Sequence, residues 1–438
     1  VSLEVARELA ESGELDQAWK YCDEALKKNP DDPRALILSS FIMEKCGRNS
    51  IGYQLSKRVT QLFPMQPVGW INLGRCADNM WRMDEALECY KNAEKLSKEK
   101  DLKKTVALNI SAVYLQLGKF EEAKKYALEA LEYETGNRKA THNLGLCQLA
   151  NHEWREGWKN YHASLGSGNR KMFQYADEPE WDGSPDKRIV IYGEQGIGDE
   201  ICAASMFNDA ISRSKSVVID CDSRLANLFR RSFPSAKVYG TRTKDVLDWD
   251  EEDLEIDASI ASMQLGQYFR NTDESFTGKP YLKADPDRVA MWKGLWATKG
   301  KPVIGVAWSG GIESTGSNHR KWSVSELNEI LSKKDAHYVC LQYKPEDLSG
   351  FTVDIKQYPY GTLTKDYDDT AALVASLDIV FSMQTSVIHL AGSLGVPTYC
   401  GVPEITQWRY GSHGDAMPWY NSVKIFRQKN GKWSWPDL

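Results

Sequence analysis

The sequence lacks any apolar run near the roughly 18 residues a membrane-spanning helix needs, and it has no charged-then-apolar leader. Neither spanning nor export is therefore expected, and a cytoplasmic setting is. It also lacks a C-x-x-C pair: the nine cysteines stand singly at 22, 46, 76, 89, 147, 202, 221, 340 and 400. An odd set cannot be fully bridged within one chain, so buried thiols in a reducing compartment are expected. There is no excess of positive charge, since the formal net charge is −6 and the pI is near 5.8. That gives no global pull toward nucleic acid. The Gly-Lys-Ser/Thr ending of a phosphate loop is missing, and so is the spacing of the dinucleotide fingerprint. What is present is 438 residues, 42% of them hydrophobic, with fifteen tryptophans. This suffices for about two to four folded domains. The first residue is Val1 rather than methionine, which leaves an upstream segment open.

Small residues recur at Ala18, Gly52, Ala86, Ala123 and Gly157, with spacings of 34, 34, 37 and 34. Around them fall Trp70, Leu73, Gly74, Tyr90 and Ala93 in one copy and Leu144, Gly145 and Tyr161 in another, while Pro30 and Pro64 close the first two copies. The period and the residue pattern resemble the tetratricopeptide repeat, in which two helices cross where small residues let backbones approach. About five repeats over residues 1–165 are expected. Stacked helix pairs leave a concave face suited to a peptide or partner protein. A rigid spacer or a self-associating arm remains the other use. Trp19, Trp70, Trp81, Trp154 and Trp158 are read as core packing.

The period stops after Ser167, and Glu178 to Pro185 has the composition of a linker. Beyond it, strands expected at 188–192, 217–221, 237–239 and 256–260 alternate with helical runs such as 224–232. The acidic run Asp248 to Asp257 reads as a solvated loop. A second series follows Asp285-Pro286, with buried-strand runs 303–308, 337–342 and 378–382. Each ends in a polar or glycine-rich loop, and such alternation implies parallel sheets with ligands bound beyond the carboxyl ends of the strands.

Two stretches carry candidate chemistry. Gly193-Glu194-Gln195-Gly196-Ile197-Gly198-Asp199 lies between the first of those strands and a helix expected from Ile201 to Ser212. Glycines there let the backbone approach a ligand, and Asp199 stands at the helix entrance, where it serves either as a functional carboxylate or only as a cap. The second stretch runs from Thr370 to Pro397. Thr385 and Ser386 open its second helix, where hydroxyls and free N–H groups suit a pyrophosphate, and His389 lies one turn along on the same face.

These motifs occur in order with Trp181-Asp182-Gly183, Val306-Ala-Trp-Ser-Gly310, Arg320-Lys321-Trp322, Trp408-Arg409 and Pro418-Trp419-Tyr420. Together they resemble glycosyltransferase family nine, the heptosyltransferase-like enzymes, in the form fused to tetratricopeptide repeats. The resemblance implies an α-helical repeat solenoid over 1–165, a linker over 166–187 and an α/β fold of the GT-B type with two Rossmann-like lobes. An acceptor-side lobe would span 188–290, and a nucleotide-sugar-binding lobe 291–438, with a closing segment that crosses back over the rim of the cleft. The implied activity is inverting, metal-independent transfer of a sugar from a nucleotide-diphosphate sugar to an acceptor hydroxyl, without a cofactor. The repeats would recruit a protein or glycan acceptor.

Asp199 is the implied base, set in an acceptor loop with Glu194, Gly196 and Gly198. Lys321 and Arg320 are the implied cations at the donor phosphates. Ser309, Gln342, Gln384, Thr385, Ser386 and His389 would complete the donor site, with Trp408 stacking there or packing between the lobes. One departure stands out: Gln384 replaces the aspartate that many members of the family carry before the threonine. A neutral amide keeps hydrogen-bonding capacity but removes a charge. The alternative is therefore a catalytically weakened nucleotide-sugar-binding scaffold.

Overall fold

The structure, a computed structural model, describes residues 3–168, 170–242, 244, 246–311 and 316–437. Val1 and Leu438, the outer bounds of the expected divisions, lie outside the described residues. The chain forms two compact units that divide between Cys147 and Gln148. It is a helical tetratricopeptide-like repeat region followed in sequence by an α/β region of two sheet-bearing, Rossmann-like lobes.

In the first unit each helix packs on its neighbours in the chain, from Leu3–Glu11 to Phe120–Tyr133. The small residues sit where the period places them: Ala18, Ala86 and Ala123 are fully buried. A Cβ at Gly52 would lie 2.9 Å from the Cys76 sulfur and 3.1 Å from the Ser40 carbonyl oxygen, and one at Gly74 would lie 2.6 Å from the Tyr90 ring. Glycine at these crossings is therefore a condition of the helix spacing. Helix starts are set locally. Asp32 caps Pro33–Lys45, its carboxylate accepting from the Arg34 and Ala35 N–H groups, and Pro33 occupies the first turn, where its missing N–H costs nothing.

The second unit opens with the end of Arg138–Ala150 and the helix Trp154–Tyr161. Trp158 is fully buried here. It packs edge-on to Trp408 and Trp419, and its ring would lie 2.4 Å from a Cβ at Gly266. Trp154 meets Phe276 at 4.5 Å between ring centroids. The last helix of the repeat period thus belongs to the aromatic core of the α/β unit.

Among the described residues, β1 (Arg188–Tyr192), β2 (Ser216–Asp220), β3 (Lys237–Tyr239) and β4 (Ala258–Ala261) form a parallel sheet of order β3-β2-β1-β4. The second sheet holds β5 (Val303–Ala307), β6 (His337–Cys340), β7 (Ile355–Gln357), β8 (Ile379–Met383), β9 (Thr398–Val402), β10 (Val423–Lys429) and β11 (Lys432–Trp433). Its order is β11-β10-β9-β8-β5-β6-β7, parallel except for the final pair. All five residues of β5 and all four of β6 are buried, as a sheet covered on both faces requires.

Three expectations change. The helix expected from Ile201 to Ser212 begins earlier and breaks, as Ile197–Ala203, a tight turn at Ala204–Met206 and Phe207–Arg213. Gly196 is the cap, so the helix starts inside the glycine-rich stretch. The stretch with linker composition is not loose: Trp181 is buried, its backbone N–H donates to the Ser259 carbonyl at 2.8 Å, and Glu180 bridges to Ser259 of β4. The closing segment divides. Trp408 and Trp419 pack against Trp158, whereas Trp433 and Trp435 return to the second sheet and pack on Trp322.

Candidate functional site

At the carboxyl end of β5 the chain turns through Ser309, Gly310 and Gly311, and at the end of β6 it passes through Gln342. Gln342 ties the two ends together. Its Oε1 accepts from the Trp308 and Ser309 N–H groups at 3.1 and 3.4 Å, and its Nε2 donates to the Ser309 Oγ at 2.6 Å. The cleft above them has a volume of about 220 Å³, and Ser317, Asn318, Lys321, Tyr343, Lys344 and Glu346 complete its lining. Hydroxyls, bare backbone and two ammonium groups facing one carboxylate make it a polar site with a cationic bias.

Trp322 holds the cationic side in place. Its ring stacks on Phe381 and Phe426 at 4.7 and 5.8 Å, and its backbone N–H donates to the Trp308 carbonyl at 3.0 Å. Anchored this way, Lys321 stays exposed and reaches Asn318 at 3.4 Å. Arg320 is buried instead, and burial pulls its pKa below the usual arginine value. Of these neighbours in sequence, Lys321 is the one that lines the cleft.

Gly310 links the cleft to the second candidate stretch, because a Cβ there would lie 2.8 Å from the Thr385 Cγ2. Thr385 caps the helix Ser386–Leu394, accepting from the Val387 N–H at 3.2 Å. The Ser386 Oγ accepts from the Tyr367 hydroxyl at 3.2 Å. His389 is buried with its Nδ1 3.1 Å from the Tyr420 hydroxyl. Burial, aided by the nearby Arg409 charge, pushes its pKa down to about 3, so it stands neutral. Gln384 is buried too, donating to the Thr406 hydroxyl at 3.0 Å.

The glycine-rich stretch comes up against this same helix start. A Cβ at Gly198 would lie 3.3 Å from the Cα and Cβ of Ser386 and 3.4 Å from the His389 ring. Asp199, the next residue, divides its carboxylate: Oδ2 accepts from the Gly196 N–H at 3.2 Å, and Oδ1 lies 2.5 Å from Nη2 of Arg409. Both the capping role and the candidate functional role of Asp199 thus fall at one place. Trp408 is turned inward, with Trp158 at 5.7 Å and Tyr161 at 5.8 Å, and does not line the cleft. Glu194 is also internal, pairing with buried Arg170 at 3.2 Å and accepting from Ser262 at 3.0 Å.

Sequence reasoning missed two residues. Arg409 belongs to a recognised motif, but nothing local tells which residue it pairs with. Glu200 lies beneath the loop, its carboxylate 2.6 Å from Nε of Arg242 and accepting from the Asp222 N–H at 3.0 Å. Burial raises its pKa to about 8 even with that cation beside it. The available signal was Gly193: a Cβ there would lie 2.3 Å from the Glu200 carboxyl carbon, so the glycine marks what is folded under it.

Among the described residues no helix is long and apolar enough to cross a membrane. Residues 7–140 match the family described as the N-terminal TPR repeats region of Psidin. Protein FlbA of Caulobacter vibrioides is 28% identical over 444 residues, covering 92% of this chain and 71% of that protein. A glycosyl transferase family 9 structure from Veillonella parvula covers 58% of this chain and 88% of its own, at 10% identity and a TM-score of 0.43. TTC0263, a thermophilic TPR protein from Thermus thermophilus, covers 38% of this chain and 89% of its own, at 22% identity and a TM-score of 0.34.

Proposed function

We propose that the α/β unit binds a nucleotide-diphosphate sugar and that the chain acts as a binding scaffold whose repeats hold a protein or glycan partner. The observation that carries the reading is the cleft at the ends of β5 and β6, lined by Ser309, Gly310, Gly311 and Lys321 and touching the Thr385 helix start through Gly310. Hydroxyls, exposed backbone, an ammonium group and a helix start are the groups that stabilise phosphate oxygens. The scaffold form of the reading is favoured by Gln384, a buried neutral amide that donates to the Thr406 hydroxyl where the family resemblance calls for a carboxylate.

A second reading, inverting and metal-independent sugar transfer, is supported by a different observation. Asp199 follows the glycine that packs against Ser386, so a carboxylate stands beside the start of the helix Ser386–Leu394. Melting of the full chain with uridine, guanosine, adenosine and cytidine diphosphates and their sugar derivatives tests the shared premise, because a ligand that binds the folded form raises its melting point. Lys321→Met is expected to weaken binding by about tenfold through loss of a charge-assisted contact. Binding without sugar release on any acceptor supports the scaffold. Turnover that falls at least about tenfold in Asp199→Asn supports the transferase. No stabilisation by any nucleotide contradicts both.

A further inference from the structure

Arg409 sits on the short turn Trp408–Tyr410, with its guanidinium carbon 4.5 Å from the Trp408 ring centroid and the side chain 7% exposed. Burial works against its charge, yet the Asp199 carboxylate opposes burial, and the net direction is upward from the usual arginine value. The pairing is nonetheless incomplete. Nη2 lies 2.5 Å from the Asp199 Oδ1, whereas Nε has no hydrogen-bond acceptor among the described residues. A buried guanidinium with a donor left over is costly, and its natural complement is an anion presenting more than one oxygen.

Asp199 is placed to give way. Its side chain is 28% exposed while that of Arg409 is 7% exposed. Swinging the carboxylate outward therefore moves it into water rather than leaving it as a buried, unpaired charge. Gly198, directly before it, contacts Ser386 at the start of a nine-residue helix capped by Thr385. His389 on that helix feels the Arg409 charge and stays neutral, so the acidic partner the structure gives this cation is Asp199.

We infer that Arg409, beside the Ser386 helix start rather than in the lining of the cleft, is an anion-receiving cation and that Asp199 occupies it as an internal substitute, which the diphosphate of an incoming ligand displaces. The inference rests on the nucleotide-binding reading and gives it a competition: ligand and Asp199 exclude each other at Arg409. Binding then frees the Asp199 carboxylate from its cation. Without ligand, the ion pair holds the glycine-rich stretch in its present position.

The test is calorimetric titration of the full chain with inorganic pyrophosphate, comparing wild type with Asp199→Asn, Asp199→Asn/Arg409→Gln and Lys321→Met. Asparagine still accepts from the Gly196 N–H, so the helix cap survives. Removing the competing charge should tighten pyrophosphate binding by about tenfold, and adding Arg409→Gln should abolish that gain. A cap or packing role alone predicts no gain. Binding that Lys321→Met weakens but Asp199→Asn leaves unchanged or weakens overturns the Arg409 inference and spares the nucleotide-binding reading. Absence of pyrophosphate binding in wild type and Asp199→Asn overturns both.

Discussion

At the scale of single residues, the α/β unit is governed by polar groups placed under glycine. Gly193 has no side chain because the Glu200 carboxyl occupies that space, 2.3 Å from where a Cβ would stand. Gly193→Ala should therefore displace Glu200 from Arg242 and destabilise the unit by about 1–3 kcal/mol. The check is chemical denaturation, and an unchanged midpoint would contradict the packing described. His389 gives a pH signature. Its folded pKa of about 3 lies below the ordinary 6.5, so the unfolded chain binds the extra proton between those values. The stabilising contribution is complete above pH 6.5 and is lost as pH falls toward 3, with a slope of up to about 1.4 kcal/mol per pH unit. His389→Gln should flatten the acid limb of a stability profile, and parallel profiles would exclude the histidine as its source. Charge pairing of this kind was the least legible feature in the sequence. Asp199 was visible beside its glycines, but Arg409 lies more than two hundred residues away, and no local periodicity records a contact between them.

At the scale of elements, much more was legible, because burial repeats with the period of the element. The 34-residue recurrence of small residues marked the helix crossings, and Ala86 within Met83–Leu96 is fully buried there. Ala86→Leu should overpack that crossing and lower the stability of the repeat unit by about 1–3 kcal/mol, visible as a lower thermal midpoint. A midpoint equal to wild type would mean the helices have room to spare. Strand positions follow from apolar runs: 188–192 is β1, and the run 378–382 falls on β8, which starts one residue later at Ile379 and extends to Met383. The helix after the glycine-rich stretch starts earlier than the sequence suggests, because a glycine at its cap and another in its first turn mask the helical pattern. Gly196 serves as the cap and Gly198 lies inside the helix, pressed against Ser386. The facing of aromatics was not legible. A tryptophan at 408 suits a ligand platform and a packed core equally well, and only its neighbours Trp158 and Tyr161 decide for the core.

At the scale of the whole molecule, the α/β unit reaches back into the repeat period. A division at residue 165 was expected from where the period ends, whereas the compact units divide between Cys147 and Gln148. Trp158 and Tyr161, both on the last helix, are buried in the second unit. A chain starting at Gln148 should therefore stay folded and keep nucleotide binding, while one starting at Gly166 loses these rings and, at about 3–5 kcal/mol for each large aromatic removed, should unfold or aggregate. Soluble yield and melting of the two fragments give the comparison, and equal stability would contradict the role assigned to Trp158.

The most direct measurement is a crystal structure of the full chain soaked with the nucleoside diphosphate that best raises its melting point. The account predicts phosphate oxygens against Ser309, Gly310 and Lys321, with Thr385 at the helix start beside them. A nucleotide bound away from Lys321 and Thr385, with that cleft left to solvent, would contradict it.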